Sequence, residues 1–154
     1  MAKKTVRSGI VGAGFSATFH FEAVRKVYGV DAQVQGVFAA DREQAQRYAK
    51  ERDIRCFESL DELLDNVDLV HCCVPVSVHE QVAVAALQRD KFAIVEKPMT
   101  GYCWPWPTPG RPAWALPRRS SRPCPAMASV ERMLAAEKKS KGRILYAENW
   151  VYAP

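Results

Sequence analysis

The sequence predicts an α/β protein built on a doubly wound parallel sheet, and three observations carry that prediction. Up to Thr100, short apolar runs alternate with segments of helical character. The first apolar run passes into the first helical one through a glycine turn, Gly12-Ala13-Gly14-Phe15-Ser16-Ala17. A later run, Phe92-Ala93-Ile94-Val95, opens directly onto Glu96-Lys97-Pro98 and so sets a lysine at a strand mouth. Strands alternating with helices in this rhythm form parallel sheets covered on both faces.

Each element follows from its residues. Val6 to Val11 is an apolar strand, and Phe15 to Tyr28 is a helix opening on the glycine turn. Gln33 to Ala40 is the second strand, and Arg42 to Arg52 is a charged amphipathic helix. Ile54 to Phe57 is a short strand. Ser59 to Asp65 is a helix with a capping box, since Ser59 is followed three positions on by Glu62. Leu69 to Val74 is nearly continuous in apolar residues and reads as a buried strand. Ser77 to Arg89 is a helix with alanines and valines on its inner face and Ser77 as its N-cap. Phe92 to Val95 is another strand.

The rhythm then breaks. Gly101 to Pro125 holds seven of the ten prolines and three of the four tryptophans, with neither helical nor strand periodicity. A structureless excursion of this length is uncommon inside a compact domain. Two origins fit it: a genuine insertion, or a stretch read in a shifted frame. Regularity returns at about Ala128, with Val130 to Lys141 as a helix and Arg143 to Glu148 as a strand. We read residues 1–154 as one domain, interrupted by an irregular Pro/Trp/Arg-rich segment at about 101–127.

Composition narrows the functional classes. With 154 residues, 48% of them hydrophobic and 25% charged, the chain has the make-up of a globular domain with a real core. The basic start is followed by an apolar run too short for a signal-peptide core, and no later run reaches membrane-spanning length. A cytoplasmic protein with no membrane partner is expected. The five cysteines include the adjacent pair Cys72 and Cys73 and show no zinc-like spacing. They read as small buried thiols, with no metal site. The net charge of +5 comes from one place: Arg111, Arg118, Arg119 and Arg122 fall in the Pro-rich segment, which has no acid. Outside it the chain carries 18 basic and 17 acidic residues. No basic face results, so nucleic acid is not an expected partner.

The glycine turn carries a specific chemistry. Gly12 permits a tight exit from the strand, Gly14 lets the backbone approach a pyrophosphate, and Ala17 is small enough for helix and strand to pack closely. The free N–H groups at the helix start, from Phe15 and Ser16 onward, then meet the anion. At the end of the second strand a carboxylate is expected to accept bonds from the ribose hydroxyls. Here the strand ends Val37-Phe38-Ala39-Ala40-Asp41-Arg42. Asp41 serves that role if the strand runs long, Arg42 pairs with a 2′-phosphate, or both simply open the next helix in solvent. These three readings leave NAD and NADP both open.

Two later strand exits lie at the same sheet edge. Val74-Pro75-Val76-Ser77-Val78-His79 follows the fourth strand, where ligands of open parallel sheets bind. His79 there either touches cofactor or substrate or is a packing residue. Lys97 sits one strand further on, beside Glu96 and Pro98. An ammonium at that point bonds a substrate hydroxyl or carbonyl and lowers the cost of alkoxide charge; the bland alternative is a surface ion pair beside a turn.

On these residues the chain resembles the N-terminal domain of the Gfo/Idh/MocA oxidoreductases. The matching features are the Gly12–Ala17 turn, His20 in the first helix, Ser59-Leu60-Asp61-Glu62-Leu63-Leu64, the Pro75–His79 turn, Lys91 to Pro98, and the tail ending Glu148-Asn149-Trp150. They cover about residues 4–100 and 128–154. The resemblance implies a Rossmann domain binding NAD or NADP, with Lys97, flanked by Glu96 and Pro98, at the active site and Val74 to His79 along the nicotinamide half. It implies hydride transfer to or from a sugar, polyol or related small molecule. It also implies a second α/β domain, outside this chain, that supplies the rest of the substrate pocket, a histidine acid/base and the surface through which members pair as homo-oligomers. One member type is a sugar-regulon repressor in yeast, so a non-catalytic dinucleotide-binding module is the alternative, together with an inactive truncated product. Ala39 departs from the pattern, standing where the family often has its ribose-binding acid.

Overall fold

The computed structural model describes residues 3–101 and 125–147. The Pro/Trp-rich stretch at 102–124, with its four arginines, lies outside the described residues, as does the predicted tail Glu148-Asn149-Trp150. Six strands form one sheet: β1 (Thr5–Val11), β2 (Asp31–Phe38), β3 (Arg55–Cys56), β4 (Leu69–Cys72), β5 (Phe92–Glu96) and β6 (Ile144–Ala147). Their order across the sheet is β3-β2-β1-β4-β5-β6, and every neighbouring pair is parallel. The order reverses direction between β1 and β4, which is the topological switch point of a doubly wound sheet. The described helices are α1 (Phe15–Val24), α2 (Arg42–Arg52), α3 (Leu60–Asn66), α4 (Val76–Leu87) and α5 (Pro125–Lys139).

The period-two alternation of strand side chains sorts the helices onto two faces. Ile10 and Val37 point to one side and pack with Ala17 and Phe21 of α1 and with Tyr48 and Ala49 of α2. Val11, Val70, Cys72, Ala93 and Val95 point to the other and pack with Leu63 of α3, Val82 and Ala86 of α4, and Met133 of α5. Ile10, Leu63, Ala83, Val95 and Met133 are fully buried. The near-continuous apolar reading of β1 and β4 follows from this, because both faces of the central strands are covered.

The predicted elements all form, and their ends shift for local reasons. The first helix stops at Val24 rather than Tyr28, because Lys26 donates to Ala23 O and Val27 to Val24 O, tightening the chain out of the α-helical ladder. Ser77 is not an N-cap. Pro75 holds that place with φ −56° and ψ 145°, and the helix begins at Val76, which puts Ser77 inside the first turn. Ser59 does cap its helix, accepting from the Glu62 N–H at 3.1 Å, but the Glu62 carboxylate reaches one residue further back, to the Glu58 N–H at 2.8 Å. The last helix starts at Pro125, earlier than its periodicity suggests, since proline suits a first turn whose N–H groups lack partners.

Candidate functional site

The glycine turn is wedged between two strand exits. Gly12 has φ +105°, and a Cβ there would collide with the carbonyl oxygen of Cys73. Its N–H donates to Phe38 O at 2.7 Å, while the Cys73 N–H donates to Val11 O at 2.8 Å. These bonds bring the ends of β1, β2 and β4 together. Gly14 is the N-cap of α1 and makes no side-chain cap. A Cβ on Gly14 would meet nothing within 4 Å, so the backbone at the start of α1 is open to approach from that side. Ala17 is fully buried against Ile10, and its carbonyl accepts the Tyr48 hydroxyl at 2.8 Å, which ties α1 to α2. Burial pushes the Cys73 thiol up to about 12, with a bond from Ser16 pulling weakly the other way. Cys72 and Cys73 are free, buried thiols.

A cleft of about 670 Å³ lies at this edge of the sheet. Gly12, Gly14, Ala39, Asp41, Val74 and Pro75 line it, and Asp41 is its one charged lining residue among those described. The Asp41 carboxylate also caps α2, accepting from the Gln44 N–H at 3.0 Å. Arg42 does not line the cleft. Its guanidinium donates to Phe57 O at 2.6 Å and pairs with Glu58, so it braces the loop between β3 and α3. A larger hollow of about 850 Å³ lies between α4 and α5, lined by helix residues such as Glu80 and Arg132 with no strand tip among them. The smaller cleft is the better candidate, because ligands of parallel sheets bind at the strand ends.

Lys97 is exposed at the end of β5, one strand beyond the exit that lines the cleft, and its bond to Pro98 is cis. Glu96 beneath it is held at both oxygens. Oε1 lies 2.9 Å from Nε2 of His20, and Oε2 accepts the Lys97 N–H at 3.2 Å. His20 in turn meets His71 of β4, Nδ1 to Nδ1, at 2.9 Å. His71 is 4% exposed and its Nε2 has no partner. Burial, helped by the nearby His20, holds the His71 imidazole down at about 3, so it is neutral. Sequence reasoning singled out neither His71 nor its link to Glu96. The available signal was a lone imidazole in an otherwise apolar strand.

His79 is 1% exposed, with Nε2 2.9 Å from Val74 O and Nδ1 3.2 Å from Pro98 O. Both neighbours are carbonyl oxygens, and a neutral imidazole has one N–H to give, so the ring bonds one of them and packs against the other, wedged between the cleft wall at Val74 and the turn that carries Lys97. Among the described residues, no group of three or more His, Cys, Asp or Glu is placed to hold a metal ion, and no helix is long and apolar enough to cross a membrane.

Comparison with known proteins agrees with this geometry. The model of an oxidoreductase family with an NAD-binding Rossmann fold, Gfo/Idh/MocA, matches residues 6–103. UDP-N-acetylglucosamine 3-dehydrogenase of Acidithiobacillus ferrooxidans is 37% identical over 95 residues, which is 62% of this chain and 29% of that protein. Glucose-6-phosphate 3-dehydrogenase of Bacillus subtilis is 32% identical over 91 residues, 59% of this chain and 25% of that protein. The WlbA dehydrogenase from Bordetella pertussis, solved with NADH and UDP-GlcNAcA, superposes with a TM-score of 0.72 at 20% identity, covering 96% of this chain and 36% of that one. The chain thus spans under a third of the length of the curated relatives it matches. On the match over residues 6–103, the chain belongs to the Gfo/Idh/MocA family of oxidoreductases, and its sheet is that family's NAD-binding Rossmann fold.

Proposed function

We propose that residues 1–154 are the cofactor-binding part of an NAD(P)-dependent oxidoreductase that moves hydride to or from a sugar, polyol or related small molecule. One observation carries the reading: a parallel sheet sets the glycine turn after β1 and Lys97 after β5 on the same edge, on either side of the β4 exit. The cleft suits a dinucleotide. The uncapped N-terminus of α1 gives N–H donors and a positive dipole end for the pyrophosphate. Gly14 leaves the approach clear, and Gly12 shapes the turn. Phe15, Ser16 and Ala17 carry that first helical turn. Ala39 and Asp41 face the ribose end, and Val74, Pro75 and Val76 form the wall toward the nicotinamide. When bound, the nicotinamide supplies the hydride acceptor or donor.

The chain's own groups do the rest. The Lys97 ammonium donates a hydrogen bond to the reacting substrate oxygen and stabilises the negative charge that grows there. Glu96 fixes the backbone of Lys97, while His79 and Pro98 hold that turn against the cleft wall. With Ala39 at the β2 tip, Asp41 is the one lining charge, and a carboxylate there favours NADH over NADPH. Because two relatives are named as 3-dehydrogenases of phosphorylated sugars, sugar hydroxyls are the first substrates to try. The buried free thiols suit a reducing compartment, and we place the protein in the cytoplasm.

The test is fluorescence titration of the 154-residue chain with NADH and NADPH. Saturable binding supports the reading, and absence of binding overturns it. Turnover over a sugar and polyol panel follows. Where turnover is seen, Lys97→Ala should keep cofactor binding and lose about a hundredfold or more in rate. Binding without turnover leaves a dinucleotide-binding module.

A further inference from the structure

We infer that His71, His20 and Glu96 form a positioning relay, buried at its His71 end, that fixes the Glu96–Pro98 turn and, through it, the direction in which Lys97 leaves the sheet. The inference deepens the proposed function and rests on it for the role of Lys97. The relay itself stands on geometry. β4 turns Val70 and Cys72 toward α3 and α4, so His71 between them faces the α1 side. Its register partners are Ile10 on β1 and Ile94 on β5. His20 descends on it from α1, the two rings meeting edge to face at 5.0 Å between centroids.

The contacts allow only one order of protons while His20 is neutral. The Glu96 carboxylate accepts only, so His20 must present Nε2–H across the 2.9 Å contact. A neutral imidazole with its proton on Nε2 has a lone pair on Nδ1. The Nδ1–Nδ1 contact at 2.9 Å then requires that His71 donate from Nδ1–H. That leaves the His71 Nε2 as a bare lone pair with no partner. Proton direction thus runs from β4 through α1 to β5, and ends where Glu96 Oε2 receives the Lys97 N–H.

Packing alone does not account for His71. A leucine would bury no unpartnered nitrogen, and among the described residues His71 Nε2 is the one buried side-chain polar atom without a partner. The imidazole offers what a leucine lacks: its Nδ1–H orients His20, and a correctly oriented His20 is what pins the carboxylate. His20 and His71 are positioning residues; neither touches the cleft.

The experiment uses the 154-residue chain labelled with ¹⁵N-histidine. Long-range ¹H–¹⁵N NMR near neutral pH reads the tautomers directly. His71 should carry its proton on Nδ1 and His20 on Nε2. Hydrogen exchange at the Lys97 amide reads the far end. His20→Ala should speed that exchange about tenfold, as expected for one hydrogen bond to a charged acceptor, with β1 and β2 amides unchanged. His20→Gln, which keeps a donor near Nε2, should restore it. His71→Leu, which removes the donor that orients His20, should also speed Lys97 exchange, whereas His71→Asn, which keeps a donor near Nδ1, should not. A proton on Nε2 of His71 in the unaltered chain overturns the inference, as does unchanged Lys97 exchange in His20→Ala. NADH titration of the same samples separates the two readings. Failure to bind with the expected tautomers and exchange sinks the cofactor site and spares the relay; intact binding with unchanged exchange does the reverse.

Discussion

At Gly12 two constraints coincide: a φ of +105°, and the Cys73 carbonyl in the place of a side chain. Gly12→Ala should therefore cost on the order of 3 kcal/mol in urea unfolding and abolish NADH binding, because relief requires parting the β1 and β4 exits. Asp41 caps α2 and is the one lining charge of the cleft among the described residues, and one substitution separates the two. Asn caps a helix as well as Asp does, so Asp41→Asn should preserve stability to within about 0.5 kcal/mol. Without the charge, NADPH should bind several-fold tighter relative to NADH, on the order of three- to tenfold, by paired titrations. The glycine turn was legible because backbone sterics restrict which residues can stand there. The place of Lys97 at a strand mouth was legible because it ends an apolar run. The roles of His79 and Arg42 were not. Each lies against backbone carbonyl oxygens (Val74 and Pro98 for His79, Phe57 for Arg42), and every residue has a carbonyl, so no residue type marks the partner.

At the scale of elements, α5 is joined to α4 by the pair of Arg132 and Glu80, with Nη2 to Oε2 at 2.8 Å, above the buried Met133. Hydrogen bonding to Arg132 is the main reason the Glu80 carboxyl sits at about 2, against an ordinary 4.5. A carboxylate lowered on folding contributes stability that is whole above 4.5 and is lost as pH falls toward 2. Arg132→Ala should lower stability at neutral pH and flatten its decline across that window, as followed by urea midpoints at a series of pH values. The helix and strand rhythm read from sequence identifies every described element, since each is specified by its own local pattern. Their ends were less legible. The end of α1 depends on which carbonyl an N–H chooses, and the start of α4 on Pro75 occupying the cap in place of Ser77. Such choices turn on single bonds rather than on periodicity.

For the whole molecule, His71 couples folding to pH. Its folded value lies at about 3, below the ordinary 6.5, because burial and the neighbouring His20 disfavour the cation. An unfolded chain takes up that proton first, so stability declines as pH falls from 6.5 toward 3. His71→Asn should remove this slope while leaving the Glu80 window in place, which urea midpoints above and below pH 4.5 distinguish. The strand order, by contrast, was predictable only as a class. Parallel alternation implies a doubly wound sheet, but the hydrophobic runs of β1 and β4 do not announce that they are neighbours.

That adjacency has a consequence for how the molecule comes into being. Ser8 pairs with Leu69, and the Gly12 turn is closed by Cys73. A ribosome delivers the glycine turn long before it delivers the strand that completes it, and β1 meanwhile presents an unpaired edge. The nascent chain has no groove to offer any nucleotide until that distant segment arrives, and the wait is an interval in which chaperones have the most to protect.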